Sequence, residues 1–301
     1  METIAGFLEA AIRASLPLAL AAYGELLCER AGFVNVGLEG SMIGGALAAA
    51  IGAISGGMLF GYAFGALAGG AVGVVLALFT VGLGTNQILT GTAVTAGSLG
   101  MTSLLAQAWF GTAGAALTIP MSAPVAIPGL WEIPLIGVAL FRQPLVTYFV
   151  FALIPALWWA LYRTRLGLAL RATGENPDAV QSSGPSPVRL QSFAIIIGSA
   201  LGGLGGAALV LAQAGTFAEG MSAGRGFIAL AVVTLGRWHP FWVAGAALLF
   251  GATSSLQYLL QALGTSVPYQ IFLALPYVLT LAVLATTGHA RQPAWLGRPL
   301  P

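Results

Sequence analysis

Side chains able to do chemistry are few in this chain, and they cluster. All 11 basic residues are arginines, set against 9 carboxylates, 2 histidines and 1 cysteine. The lone Cys28 excludes an internal disulfide and a cysteine metal cluster, and reads as a small buried apolar residue. Without lysine there is no P-loop, so the chain cannot hydrolyse ATP by that route. His239 stands beside Pro240 and His289 near the tail. No HExxH motif and no cysteine–histidine pair within one apolar run supplies metal ligands or an activated nucleophile, so no catalytic residue and no metal are expected. What remains is three polar clusters. Glu25, Glu29, Arg30, Asn35 and Glu39 lie where one apolar run ends and the next begins. Thr85, Asn86 and Gln87 open another run, and Glu219, Arg225 and Arg237 surround a short one. At mid-membrane a charge costs at least ~2.5–3.5 kcal/mol, so charges near a span need a reason. One reading is a polar path or gate between helices. The alternatives are a solvated loop pair for Glu29 and Arg30 and a plain helix start for Asn86. Glu39 and Arg225 each precede an uninterrupted apolar run, and read as a buried ion pair or as path lining.

The elements that position these clusters follow from composition. Charged residues are 7% of the chain and hydrophobic ones 58%, against about 25% charge in a soluble domain. Residues 40–131 contain no Asp, Glu, Lys or Arg, room for about three crossings at roughly 20 residues each. Disorder is excluded by the same figures, and a net charge of +2 gives no case for nucleic acid. Glu2 and Glu9 precede Arg13, unlike the basic start of a signal peptide, so residues 4–27 read as a retained span. The fold class expected is all-α, a single polytopic transmembrane bundle over 1–301. It has about nine spans (8–10): 4–27, 33–54, 57–80, 85–108, 142–162, 191–213, 224–238, 240–262 and 267–287. The seventh, at about 22 Å, is too short for a ~30 Å core and reads as short or broken. Arg163, Arg165, Arg171 and Arg189, and the tail's Arg291 and Arg298, mark segment 163–190 and the tail as cytoplasmic. Segment 109–141, with four prolines and Glu132 but no arginine, reads as an irregular outer loop. Most charges fall near span ends, which disfavours an ion-coupled secondary transporter.

Glycine spacing predicts how the helices meet. Gly61, Gly65, Gly69 and Gly73, and Gly198, Gly202 and Gly206, recur every four residues and form smooth ridges for close helix packing. Leu38-Glu39-Gly40 and Ala218-Glu219-Gly220 form a weak internal echo of the kind transporter repeats leave. Segment 163–190 contains a capped helix outside the membrane: Asn176 is the N-cap, Pro177 the first helical residue, Asp178 complements the dipole, and Gly184 stops it. About two capped turns in a 28-residue connection suit a docking knob for a soluble partner; the alternative is an ordinary ordered loop.

Three stretches then resemble a known family. Glu29-Arg30-Ala31-Gly32-Phe33-Val34-Asn35-Val36-Gly37-Leu38-Glu39-Gly40 resembles a signature of bacterial ABC importer permeases of the nucleoside, simple-sugar and branched-chain amino acid group. The run from Arg163 through Arg171 to Pro177 is similar as well. Glu219–Ala231, with Arg225 and Phe227, together with Gly236-Arg237-Trp238-His239-Pro240, resembles the nucleoside branch. The resemblance covers about residues 25–287. It implies a permease of the bacterial cytoplasmic membrane with no cofactor of its own. ATP and Mg would be bound by partner ABC ATPase subunits, a second permease would complete the channel, and an extracytoplasmic substrate-binding protein would deliver solute. By position, Arg171, Glu175, Asn176, Pro177, Asp178, Ala179 and Val180 would couple to the ATPase. Asn35, Glu39, Asn86, Gln87, Glu219, Arg225 and Phe227 would line the path or its gates. Ser182-Ser183 and Pro185-Ser186-Pro187 depart from the apolar continuation expected after the coupling helix.

Overall fold

A computed structural model describes residues 2–111, 119–134, 136–262 and 292–300, with isolated positions 274, 278 and 282. Helices dominate. α1 (Glu2–Arg30), α2 (Leu38–Gly56), α3 (Met58–Ala77) and α4 (Gln87–Phe110) form the first half. After them come α5 (Gly137–Phe141), α6 (Leu145–Arg163), α7 (Arg165–Glu175), α8 (Pro177–Ser182), α9 (Pro187–Ala208), α10 (Arg225–Leu235) and α11 (Pro240–Ala262). Two π-helical segments, Leu78–Gly82 and Leu209–Ala214, continue α3 and α9. The expected outer loop is more ordered than its prolines suggest. β1 (Pro124–Ala126) pairs antiparallel with β2 (Arg142–Pro144), and α5 lies between them.

Among the described residues, six helices are long and apolar enough to cross a membrane. α11, at 23 residues, also has the length, about 35 Å at 1.5 Å per residue. The ninth expected span, 267–287, lies outside the described residues apart from the isolated positions 274, 278 and 282. The short seventh run is a helix of 11 residues, about 16 Å long. Gly224 precedes it in the left-handed conformation, φ 79°.

α9 is the centre, packed on α1, α2 and α3. The glycine ridges make this possible. A Cβ on Gly69 would sit 2.7 Å from the Cα of Gly203, and one on Gly73 would sit 2.7 Å from the Cβ of Ser199. Likewise a Cβ on Gly198 would meet Cys28 Sγ at 2.5 Å, and one on Gly202 would meet Leu38 at 2.6 Å. Both sets therefore face partner helices, as their four-residue spacing predicts, and at Gly69, Gly198 and Gly206 the neighbouring backbone is too close for any side chain.

The seam also sets depth. Leu38 opens α2 opposite Gly202, which is 15 residues past Pro187, about 22 Å along a helix. α9 with its π extension runs 28 residues, about 42 Å. So α2 starts half-way down the bundle, not at residue 33 near its end. Residues 33–36 have no regular structure and carry the chain back inward.

Candidate functional site

That inward return is built by polar side chains. Glu25 on α1 accepts the Asn35 backbone N–H at 3.0 Å, and Gln87 at the head of α4 accepts that of Val34 at 3.1 Å. Asn35, wholly buried, donates to Ser199 Oγ on α9 at 3.0 Å. The return thus satisfies two of its otherwise orphaned amides with side chains, as irregular backbone inside a bundle requires.

Glu39 lies at the half-depth start of α2, 5% exposed. Its Oε1 accepts from Ser222 Oγ at 2.6 Å and from Gly224 N–H at 2.8 Å. Its Oε2 accepts from Gly226 N–H at 2.7 Å. A carboxylate there meets the free amides and positive dipole end of α10. The ion pair considered for Glu39 and Arg225 does not form. The Arg225 guanidinium instead donates to the Met221 carbonyl at 3.0 Å, because backbone amides already occupy both Glu39 oxygens. The two echoing segments meet here, since Glu39 grips the turn just after Glu219. Glu219 itself is exposed and accepts from Ser103 Oγ on α4 at 2.6 Å.

Glu29 and Arg30 are not a solvated pair. Glu29 is 3% exposed and accepts the Trp238 indole N–H. Arg30 donates to the Trp238 carbonyl at 2.6 Å and to the Tyr162 hydroxyl at 3.0 Å. They fix a turn in which Arg237 and Trp238 have φ of 51° and 54°, a conformation that non-glycine residues adopt rarely. Burial, and then the Arg30 charge, hold the His239 imidazole in this turn below its ordinary range. The paired stretches around Glu29 and Trp238 are therefore two halves of one structural joint. Sequence spacing gave no signal of it, because 208 positions separate Arg30 from Trp238.

The remaining residues fall into two groups. Asn86 caps α4, accepting from Ile88 and Leu89 N–H, and is exposed to one side. Phe227 is 46% exposed on α10, near Glu219 in sequence. Gln87 is buried and also donates to the Arg298 carbonyl at 3.1 Å. Asn35, Glu39 and Gln87 are thus buried, whereas Asn86, Glu219 and Phe227 are exposed. Gly97 and Gly100 of α4 are open as well, with nothing within 4 Å of an added Cβ.

Segment 163–190, expected on the cytoplasmic side, has two helices where one was expected. α7 is the addition, started by Thr164, whose Oγ1 accepts Gly167 N–H. Its Arg171 donates to the Leu161 carbonyl at 3.0 Å and lies 4.7 Å from the Tyr162 ring centroid. α8 has the capping its sequence predicts: Asn176 Oδ1 accepts Ala179 N–H, and Pro177 is first. Gly184 follows at φ 109°. Pro177 and Val180 face inward, while Glu175, Asn176, Asp178 and Ala179 are exposed. Among the described residues no group of three or more His, Cys, Asp or Glu side chains could hold a metal.

Comparison with known proteins adds an independent line. A family model described as "Branched-chain amino acid transport system / permease component" matches residues 7–284. A Haloferax volcanii protein named "Putative glucose ABC transporter permease protein TsgC13" is 33% identical, covering 95% of this chain and 92% of its own. The guanosine ABC transporter permease protein NupQ of Bacillus subtilis is 32% identical over 94% of this chain and 92% of its own. The nucleoside ABC transporter permease protein NupC of Lactococcus lactis is 32% identical, with coverage of 90% and 88%. No solved structure matches significantly.

Proposed function

Because the chain belongs to the family of branched-chain amino acid transport permease components, we propose that it is the subunit through which an ATP-binding-cassette importer moves nucleosides inward. It is a multi-pass protein of the cytoplasmic membrane. Separate ATPase subunits bind ATP and Mg and dock on α8. A second permease, the same or related, covers the exposed residues of α4 and α10 to form a path. An extracytoplasmic binding protein supplies the solute and most of the affinity.

The observation that carries this reading is α8 itself. A capped, six-residue helix is anchored by Pro177 and Val180 and turns Asp178 and Ala179 outward. Such a short helix has little stability of its own, so an anchored one with an exposed face suits a contact that receives force. Two nucleoside permeases among the relatives favour nucleosides. TsgC13 favours a sugar as the second reading.

The test is reconstitution of the complete transporter in liposomes, with guanosine uptake followed as ATP is supplied or withheld. Guanosine should enter only with ATP, whatever ion gradient is imposed, and excess glucose or leucine should not compete. Glucose competition would transfer the assignment to sugars. Uptake driven by an ion gradient without ATP would end the ABC reading. Ala179→Arg, on the exposed face of α8, should abolish uptake while leaving membrane insertion intact.

A further inference from the structure

Residues 292–300 run across the side of the bundle that holds α7 and α8. Ala294 N–H donates to Glu175 Oε2 at 3.3 Å, and Trp295 N–H donates to the Gly174 carbonyl at 2.8 Å, at the junction of α7 with α8. Gly297 N–H donates to the Gly32 carbonyl at 3.1 Å, in the turn after α1. The Arg298 carbonyl accepts from Gln87 Nε2, at the first residue of α4. Trp295 stiffens the segment internally, its indole N–H donating to the Pro299 carbonyl at 2.9 Å and its ring lying 5.7 Å from the Arg298 guanidinium carbon.

Resting on the reading that α8 receives force from the ATPases, we propose that residues 292–300 are a strap carrying displacement of α8 to α4, with Gln87 as its positioning residue. α4 is little buried along most of its length, and its head packs on the return at Val34–Gly37 through Gln87, Gly91 and Thr95, so a tie at Gln87 acts on both together. The strap's nine residues reach Gly174 at one end and Gln87 at the other, and each contact is a hydrogen bond that moves with its partner. Gln87 is the α4 side chain that hydrogen-bonds the strap, and its amide has two faces. Its oxygen accepts Val34 N–H, while its nitrogen donates to Arg298.

The two faces can be separated. Gln87→Glu keeps an acceptor for Val34 and sets a carboxylate against the Arg298 carbonyl. Gln87→Ala removes both. In the reconstituted full transporter, ATP hydrolysis and guanosine uptake are measured together. Both variants should keep hydrolysing ATP while guanosine moved per ATP falls about tenfold, within the range of a lost inter-site coupling. Trp295→Ala, which loosens the strap away from α4, should do the same. If Gln87→Ala uncouples but Gln87→Glu and Trp295→Ala do not, the contact with Val34 is what matters and the strap is overturned. If all three match wild type, it is overturned too. Equal loss of hydrolysis and uptake, with low extractable protein, is a folding defect that contradicts a positioning role. Failure of the wild-type transporter to move guanosine at all would instead strike the function proposed above.

Discussion

α9 and α4 are both apolar and long enough to span a membrane, yet 78% of the most apolar window of one is buried and only 17% of the other. Both contain glycines, and the glycines differ in what they face. Those of α9 touch backbone or side chains of α1, α2 and α3, whereas on α4 only Gly91, near its head, is packed, and Gly97 and Gly100 face open space. Hydropathy alone does not separate a helix that is the core from one that offers a face to something else. The contrast is one of backbone approach. Close approach stabilises a helix pair in lipid. An uncovered helix bearing Thr92 and Gln107, with Ser103 tied to Glu219, carries more polarity than a purely lipid-facing surface needs.

Substitutions can break this contrast. The largest effect is expected at the α9 seam. Gly203→Leu drives a side chain into Gly69 and Gly65, should cost more than about 4 kcal/mol, and should leave no monodisperse protein after detergent extraction. Gly100→Leu, a larger residue on α4, should extract like wild type. If both fold, the seam is not close-packed and the contrast fails. Next is Glu39→Ala, which strands the amides of Gly224 and Gly226 at the head of α10. Loss of charge-assisted hydrogen bonds in a buried site predicts about 3 kcal/mol, read as a lowered midpoint in thermal unfolding of the purified protein.

Smaller effects sharpen the α4 side. Glu219→Ala removes an exposed partner of Ser103 and should change stability by less than about 0.5 kcal/mol, while uptake per transporter falls. Unchanged uptake would remove Glu219 from the path. The smallest effect is at His239. Its folded imidazole is held down by burial and by Arg30, so the unfolded chain binds the proton more readily. Stability is then fully present above the unfolded value of about 6.5 and declines as pH falls below it. His239→Phe should flatten that decline, and an equally steep slope in the variant would show that other groups cause it.

Much of this was legible from residue types. The α8 cap needs only Asn176, Pro177 and Gly184 in order, because capping is local chemistry. The four-residue glycine ridges announced seams for the same reason. α7 carries little local signal, since Arg165–Glu175 is short and mixed in polarity and its start depends on a single Thr164 cap. Nor was the depth of Glu39 legible. A carboxylate at the start of an apolar run reads as a span end unless the chain is known to re-enter.

The sequence by itself determined that this chain spans a membrane many times and that a capped helix stands between two of its apolar runs. Those properties depend on apolar run length, charge placement and neighbours within four residues. Only the tertiary structure decided what each polar cluster does. Glu39 holds α10, Glu29 and Arg30 hold the turn at Trp238, and Gln87 ties α4 to residues 292–300. Each of these joins residues far apart in the chain, and a buried carboxylate takes whichever donors the packing of whole helices brings to it.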